Sequence, residues 1–500
     1  MAKVSNSVCI CLWFSFLVLG SCFNFRDQPQ QNECQLEQLE ALEPDNVIKS
    51  EGGRVETWNP NHRQFRCAGV ALTRCVLEQH ALKMPSYSNS PQLIYIQRGR
   101  GMFGIVIPGC ANTYEEAQLS LSGRSWSSRD RHQKIRLFEQ GDLIAVPAGL
   151  TIWMYNNHNE PVEAVSLLDT SNYMNQLDRT PMKFYLAGSH QQEFLRYQQQ
   201  QQEGEEQLHG GRREGPQQEQ KGRNVVSAFD RALMAQALNT DEETVGEMQR
   251  QNVRSEGGIM RVSGGGLHIF HPPPRKQRPR PRQGEQEEEE LEGDEEQQEQ
   301  EEQQERGQEG REEESGNENG LEETLCSIRL HQNIGPSASP DIHHPQAGSL
   351  KTVTSYDLRV LKLLKLSAEF GSIRKDALYV PHYNLNAHSI VYALEGSAEV
   401  QVVDASGKLV YSQELRQGQV LTVPQNYAVA IRSRSKQFSF VAFKTHDVAM
   451  MSTLAEQIRS WPEEVVARVY RLRREQVRQL KNRTPLHYLV PPQQSPRAVP

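Results

Sequence analysis

Gln92-Leu-Ile-Tyr-Ile-Gln-Arg-Gly99, followed by Gly141-Asp-Leu-Ile-Ala-Val-Pro147, returns about 300 residues later as Ser389-Ile-Val-Tyr-Ala-Leu-Glu-Gly396 and Gly418-Gln-Val-Leu-Thr-Val-Pro424. Tyr95 coincides with Tyr392, Gly99 with Gly396, Gly141 with Gly418 and Pro147 with Pro424. A repeat this long marks duplicated domains rather than a solenoid. Each copy consists of short β-branched and aromatic runs bounded by Gly and Pro, such as 105–107, 143–146, 400–403 and 438–443. The pattern predicts a mainly β chain with two jelly-roll barrels, each long enough to bury its own core. The 500 residues also exceed the roughly 250–300 at which single cores stop growing.

After each barrel the apolar period shifts from two toward 3.6. Residues 225–238 and a segment starting at Thr240-Asp-Glu-Glu243 predict helices in the first half, the second with capping-box spacing. Residues 448–459 and 463–480 predict their counterparts, with Ser460 and Glu463 spaced as a capping box and Pro462 in the first turn. Small helical pairs need a partner for their apolar faces, so these extensions are candidate subunit contacts.

The N-terminal 1–22 carries a 12-residue apolar run, 8–19, followed by small residues, and reads as a secretory signal peptide. No other stretch approaches the roughly 20 apolar residues of a membrane span, so no membrane association is expected. Five cysteines follow the signal: Cys34, Cys67, Cys75, Cys110 and Cys326. In an oxidising lumen they predict two disulfides and one leftover thiol, whose identities spacing does not fix. With no Cys-x-x-Cys pair, they do not read as a metal site. Three hydrophilic inserts, 112–133, 191–223 and 272–318, are expected to lack fixed structure. Arg275-Lys-Gln-Arg-Pro-Arg-Pro-Arg282 has no interleaved aromatics and runs into an acidic tract, so no nucleic-acid partner is expected. Gly264-Gly265-Gly266 reads as a flexible linker and His343-His344 as a surface loop pair.

Charge divides the chain sharply. Residues 1–319 carry 33 Lys+Arg against 48 Asp+Glu, and residues 320–500 carry 22 against 15. At the border, the acidic run 285–314 is too polar to offset the cost of ordering its backbone, which leaves the neighbouring Asn319-Gly320 bond open to a protease. The sequence Asn319-Gly320-Leu321-Glu322-Glu323-Thr324 followed by Cys326, together with Pro-Ser-Tyr-Ser-Asn at 85–89 and Pro-Gln-Leu-Ile-Tyr at 91–95, resembles the legumin-type (11S) seed storage globulins.

That resemblance implies cleavage after Asn319 by an asparaginyl endopeptidase and disulfides Cys34–Cys67 and Cys110–Cys326. It also implies a homo-oligomer, trimeric as precursor and hexameric after processing. The implied route runs from the endoplasmic reticulum to the protein storage vacuole of seeds. The expected domains are the signal 1–22, a first barrel with its extension at 34–253, the acidic insert 272–318, and a second barrel with its extension at 320–500.

The Gly-x5-Pro element also resembles the second motif of the cupin superfamily, whose metal enzymes use His-x-His, a Glu and a further His. In the second copy those positions hold His382, Asn384, Ser389 and Val429; in the first, Ser86, Ser88, Gln92 and Ile152. A metal needs three or four converging ligands, so no metal, cofactor or catalytic residue is expected in either barrel. The Gln/Glu/Arg-rich composition fits a nitrogen and carbon reserve. The alternative from another class, a germin-like metal-dependent cupin enzyme, is disfavoured by the missing ligands.

Overall fold

In the computed structural model the described residues are 34–111, 114–115, 131–177, 179–188, 193–194, 197, 224–249, 258–264, 266–267, 269, 325–484 and 487–492. The signal, the acidic insert 272–318 and the Asn319-Gly320 junction lie outside them.

Each half forms two facing antiparallel sheets. In the first barrel one sheet runs Asn46–Ser50, Gly53–Thr57, Val70–Leu77, Val162–Asp169, Gln92–Arg98, Asp142–Val146 and His331–Asn333. The other runs Lys183–Tyr185, Ala81–Ser88, Thr151–Tyr155, Gly101–Val106 and Ile135–Phe138, with Ile259–Arg261 also pairing to Ala81–Ser88. The second barrel repeats the plan with Ser367–Arg374, Gln437–Lys444, Ser389–Glu395 and Val420–Val423 in one sheet. Ser397–Val403, Ala428–Ser433 and Leu378–Asn384 run through the other. Apolar residues of the inner faces interdigitate to form the cores.

The repeat is visible in the register. Gln92 faces Leu168 as Ser389 faces Lys444, and both strands carry a bulge at the same place, skipping Gln97 and Leu394. The repeated glycines explain themselves. Gly99 and Gly396 have φ of +86° and +74°, and a Cβ there would approach the carbonyl oxygens of Pro161 and Gln437 to 2.7 and 2.2 Å.

The repeated tyrosines mark the seam between barrels. Tyr95 stacks on Phe370 of the second barrel at 6.3 Å. Tyr392 accepts a hydrogen bond from Arg74 of the first at 3.0 Å and meets the edge of Trp58 at 6.1 Å. Arg74 and Phe370 occupy matching register positions, so the seam follows a local pseudo-dyad with an aromatic pair on one side and a cation–phenol pair on the other.

Sheet membership crosses the expected boundary at residue 320. His331–Asn333 pairs with Asp142–Val146 of the first barrel, and Leu330 and Ile334 are buried beside it. Reciprocally, Leu36 and Leu39 sit in the core of the second barrel, with Leu39 N–H on the Val410 carbonyl and Leu42 paired to Val420. Each half therefore lends an arm to the other.

The helical extensions differ in detail from expectation. Instead of one helix over 225–238, a 3-10 turn Val226–Ala228 precedes a helix Arg231–Leu238, because Asp230 caps the Leu233 N–H. The next helix, Glu242–Gln249, is capped by Asp241 through Thr244 rather than by Thr240. Residues 448–459 divide into a strand, Met451–Thr453, and a helix, Leu454–Ser460, capped by Thr453. The expected helix 463–480 breaks into Glu463–Tyr470 and Arg474–Arg483 at Arg471, whose φ is +54°. Pro462, not Ser460, holds its N-cap position, since Ser460 ends the preceding helix.

Two further expectations, the histidine loop and the inserts without fixed structure, are corrected. His343 and His344 belong to an edge strand, Ile342–His344, rather than a loop. Val262 and Leu267, on either side of the glycine run, pack against the cluster of Met102, Ile135 and Tyr155. Within the supposed insert 191–223, Glu193, Phe194 and Tyr197 are buried. The ends of insert 112–133 also pair, Tyr114–Glu115 with Arg131–His132, and the Gln133 side chain clasps the backbone of Ile107 and Cys110.

Candidate functional site

The positions where cupin enzymes hold their metal converge in the second barrel, and a side-chain cation stands among them. Lys444 Nζ donates to Asn384 Oδ1 at 3.2 Å and to Ser389 Oγ at 3.0 Å, with Glu369 Oε2 at 4.0 Å. Tyr379 OH donates to Glu369 Oε1 at 3.3 Å and lies 3.0 Å from Met451 Sδ. His382 donates Nδ1–H to the Val380 carbonyl at 2.8 Å and stacks on Tyr379 with ring centroids 4.1 Å apart. Desolvation, reinforced by Lys444, lowers the His382 pKa to about 3, so its imidazole is neutral. Val429, opposite His382, supplies only a hydrocarbon wall.

This donor set does not fit a metal ion. One imidazole, one amide and one hydroxyl surround an ammonium group that repels a second cation and already uses the amide and hydroxyl oxygens. Asn384 Nδ2 is buried with no hydrogen-bond partner among the described residues, as expected where the amide is turned to serve the lysine.

In the first barrel Ser86, Ser88, Gln92 and Ile152 do not form a site either. Ile152 faces Ser86 across the sheet, and Ser88 Oγ accepts the Ser90 N–H. Leu168 replaces Lys444 at the matching register and packs with Ala71, Phe194 and Tyr197 into an apolar plug. One step away, Lys183 Nζ meets Glu193 Oε2 at 2.5 Å with both side chains under 5% exposed, and Tyr185 OH donates to Glu193 Oε1 at 2.9 Å. Burial would raise the Glu193 pKa, but Lys183 and Lys83 outweigh it and hold the carboxyl below its ordinary range. Burial pushes Lys183 down, opposed by Glu193. Cys75, a free buried thiol, lies in the same electrostatic neighbourhood, and desolvation raises its pKa.

The sequence reading missed Lys444, Glu369, Lys183 and Glu193. Lys444 and Lys183 were legible as lone lysines in or beside apolar runs, Phe438-Ser-Phe-Val-Ala-Phe443 and Phe184-Tyr-Leu186, and Phe194-Leu-Arg-Tyr197 was the apolar signal inside a polar insert. Among the described residues there are two disulfides, Cys34–Cys67 and Cys110–Cys326. The second joins the two halves against the shared core.

These features define a duplicated cupin whose ligand positions are filled by its own side chains. The Cupin family profile matches residues 39–192 and 335–478. Legumin A of Pisum sativum is 51% identical, covering 99% of both chains, and glycinin G3 of Glycine max is 49% identical over the full length of both. Procruciferin, the 11S globulin from Brassica napus, aligns at TM-score 0.73 with 33% identity, covering 93% of this chain and 99% of that one. Coconut cocosin aligns at 0.71 with 35% identity, covering 92% and 100%. The chain belongs to the legumin-type (11S) seed storage globulins.

Proposed function

We propose that this protein is a seed storage protein, a nutrient reservoir of nitrogen and carbon used at germination, without a cupin enzyme's activity. The observation that carries this reading is the Lys444 ammonium among the cupin ligand positions, beside the full-length likeness to legumin and glycinin. Metal analysis of purified chain tests it. The expected result is no stoichiometric transition metal in the oxidised protein. About one tightly bound Mn, Fe or Zn at the His382 position would instead support the germin-like reading.

Assembly into a homo-oligomer, trimeric before processing, fits the helical extensions. Residues 224–249 carry five acidic side chains against one basic, and residues 454–484 carry eight basic against four acidic. Both expose apolar residues, Leu233 in the first and Val469 in the second. An acidic extension of one copy meeting the basic extension of the next makes a head-to-tail contact that closes into a ring. We further propose secretory delivery to the storage vacuole and cleavage after Asn319 by an asparaginyl endopeptidase, giving an acidic chain and a basic chain starting at Gly320. The acidic run 285–314, 17 acidic residues against two Arg, would repel its copies between trimer faces, so cutting permits hexamers. Asn319→Gln, treated with the protease, should stay trimeric in sedimentation; hexamers from it would sink this gating step.

A further inference from the structure

The Cys34–Cys67 disulfide has a histidine of the other half beside it. Both sulfur atoms and a ring nitrogen of His388 lie within 4.8 Å of one another. Cys34 lies at the start of the arm that crosses to the second barrel, Cys67 lies in the helix Arg63–Ala68, and His388 immediately precedes the strand Ser389–Glu395. The three line one cleft of about 510 Å3, shared with Asp169, Asn172 and Lys365. Cys34 is exposed at its mouth. The cleft is separate from the barrel interior that holds Lys444.

We propose that, once this disulfide is reduced, Cys34, Cys67 and His388 form a binding site for a borderline-soft divalent ion such as Zn2+. The reductant is a small dithiol, which gives two electrons and two protons, becomes a disulfide itself and leaves Cys34 and Cys67 as thiols. The ion then displaces both thiol protons, so a dication and two thiolates add no net charge to the cleft. Zn–S bonds of about 2.3 Å and Zn–N bonds of about 2.0–2.1 Å put tetrahedral neighbours about 3.5–3.8 Å apart, inside the observed spread. The fourth position is left to water from the cleft, as in sites with three protein ligands. His388 Nδ1 now accepts the Gln425 N–H at 3.2 Å. Coordination through Nδ1 replaces that bond, and coordination through Nε2 exchanges the tautomer; each trades one long hydrogen bond for a metal bond. Lys365 is already balanced by Asp447 at 3.5 Å. The resulting link would tie the first half to the second at a point remote in sequence from Cys110–Cys326.

The test uses the full chain carrying Cys110→Ser and Cys326→Ser, so that one disulfide remains. It is reduced with dithiothreitol without denaturant, freed of reductant and titrated with Co2+. The expected outcome is about one ion per chain, thiolate-to-cobalt charge transfer with tetrahedral visible bands, and displacement by Zn2+. Oxidised chain should give no such bands. Cys34→Ser should abolish the charge transfer, and His388→Ala should weaken binding by about tenfold or more, at least the loss typical of outer-shell changes. If His388→Ala loses the native circular dichroism, His388→Gln replaces it. Absence of the bands after reduction overturns the proposal, as do bands that persist in Cys34→Ser or binding that is unchanged in both His388 variants.

Discussion

The two barrels share strand order, register and bulge, yet they neutralise their interiors differently. In the second, anion and cation both come from strands of the barrel: Glu369 and Lys444 sit 4.0 Å apart, and the lysine is held mainly by neutral oxygens. In the first, Lys183 comes from a strand but its anion, Glu193, arrives with the segment that follows, in direct contact at 2.5 Å. That segment also brings Phe194 and Tyr197 to plug the space that Lys444 fills in the other barrel. The fold therefore tolerates exchange of a charge for an apolar plug at one register position, provided every charge that remains buried keeps a partner.

The largest effect is expected from Lys183→Met, which removes the direct partner of the Glu193 carboxylate in the first barrel. It should cost about 3–5 kcal/mol by chemical denaturation, while Lys183→Met with Glu193→Leu should recover most of it. A double variant no better than the single one would show that the pair is not the cause.

Phe194→Ala opens the plug and should cost about 3–4 kcal/mol, with faster hydrogen exchange confined to the strands Val70–Leu77 and Val162–Asp169. A loss under about 1 kcal/mol would mean the segment does not pack there. Lys444→Met, whose lysine stands 4.0 Å from its carboxylate and is held mainly by neutral oxygens, should cost less, about 2–3 kcal/mol. A cost equal to that of Lys183→Met would erase the distinction between the barrels.

The last expected effect is one of pH: it vanishes at neutral pH, grows only on acidification, and belongs to the second barrel. His382 has a folded pKa of about 3, below an unfolded value near 6.5, so the unfolded chain binds more protons between these limits. Stability is therefore lost progressively as pH falls from about 6.5 toward about 3. His382→Gln should flatten that slope, read as hydrogen exchange of the strand Leu378–Asn384 against pH. An unchanged slope would assign the acid sensitivity elsewhere.

Much of this architecture was legible because duplication doubles every signal. Tyr95 and Tyr392, or Gly99 and Gly396, are each weak alone, but their coincidence located both barrels, and the structure gives them physical roles at the seam and the bulge. The loss of metal ligands was legible position by position. What filled their place was not, since Lys444 is contributed by a different strand and only register reveals what it faces. Local rules missed Glu193, Phe194 and Tyr197 because polar neighbours mask a short apolar motif that owes its burial to tertiary packing. Helix limits shifted where a neighbouring Asp or Thr offered a better cap than the residue expected.

The exchanged arms set a timetable for biosynthesis. The strand Asp142–Val146 leaves the ribosome long before its edge partner His331–Asn333 exists. At the usual 5–20 residues per second the gap of nearly two hundred residues lasts roughly 10–40 s. Throughout that interval Leu143 and Ile144 line an open sheet edge, a template for pairing with a neighbouring nascent chain. The arm holding Leu36 and Leu39 waits longer still, because its seat on the second barrel is among the last parts made. Neither half can finish folding alone, so successful synthesis depends on keeping a half-built molecule away from its copies until the last strands emerge.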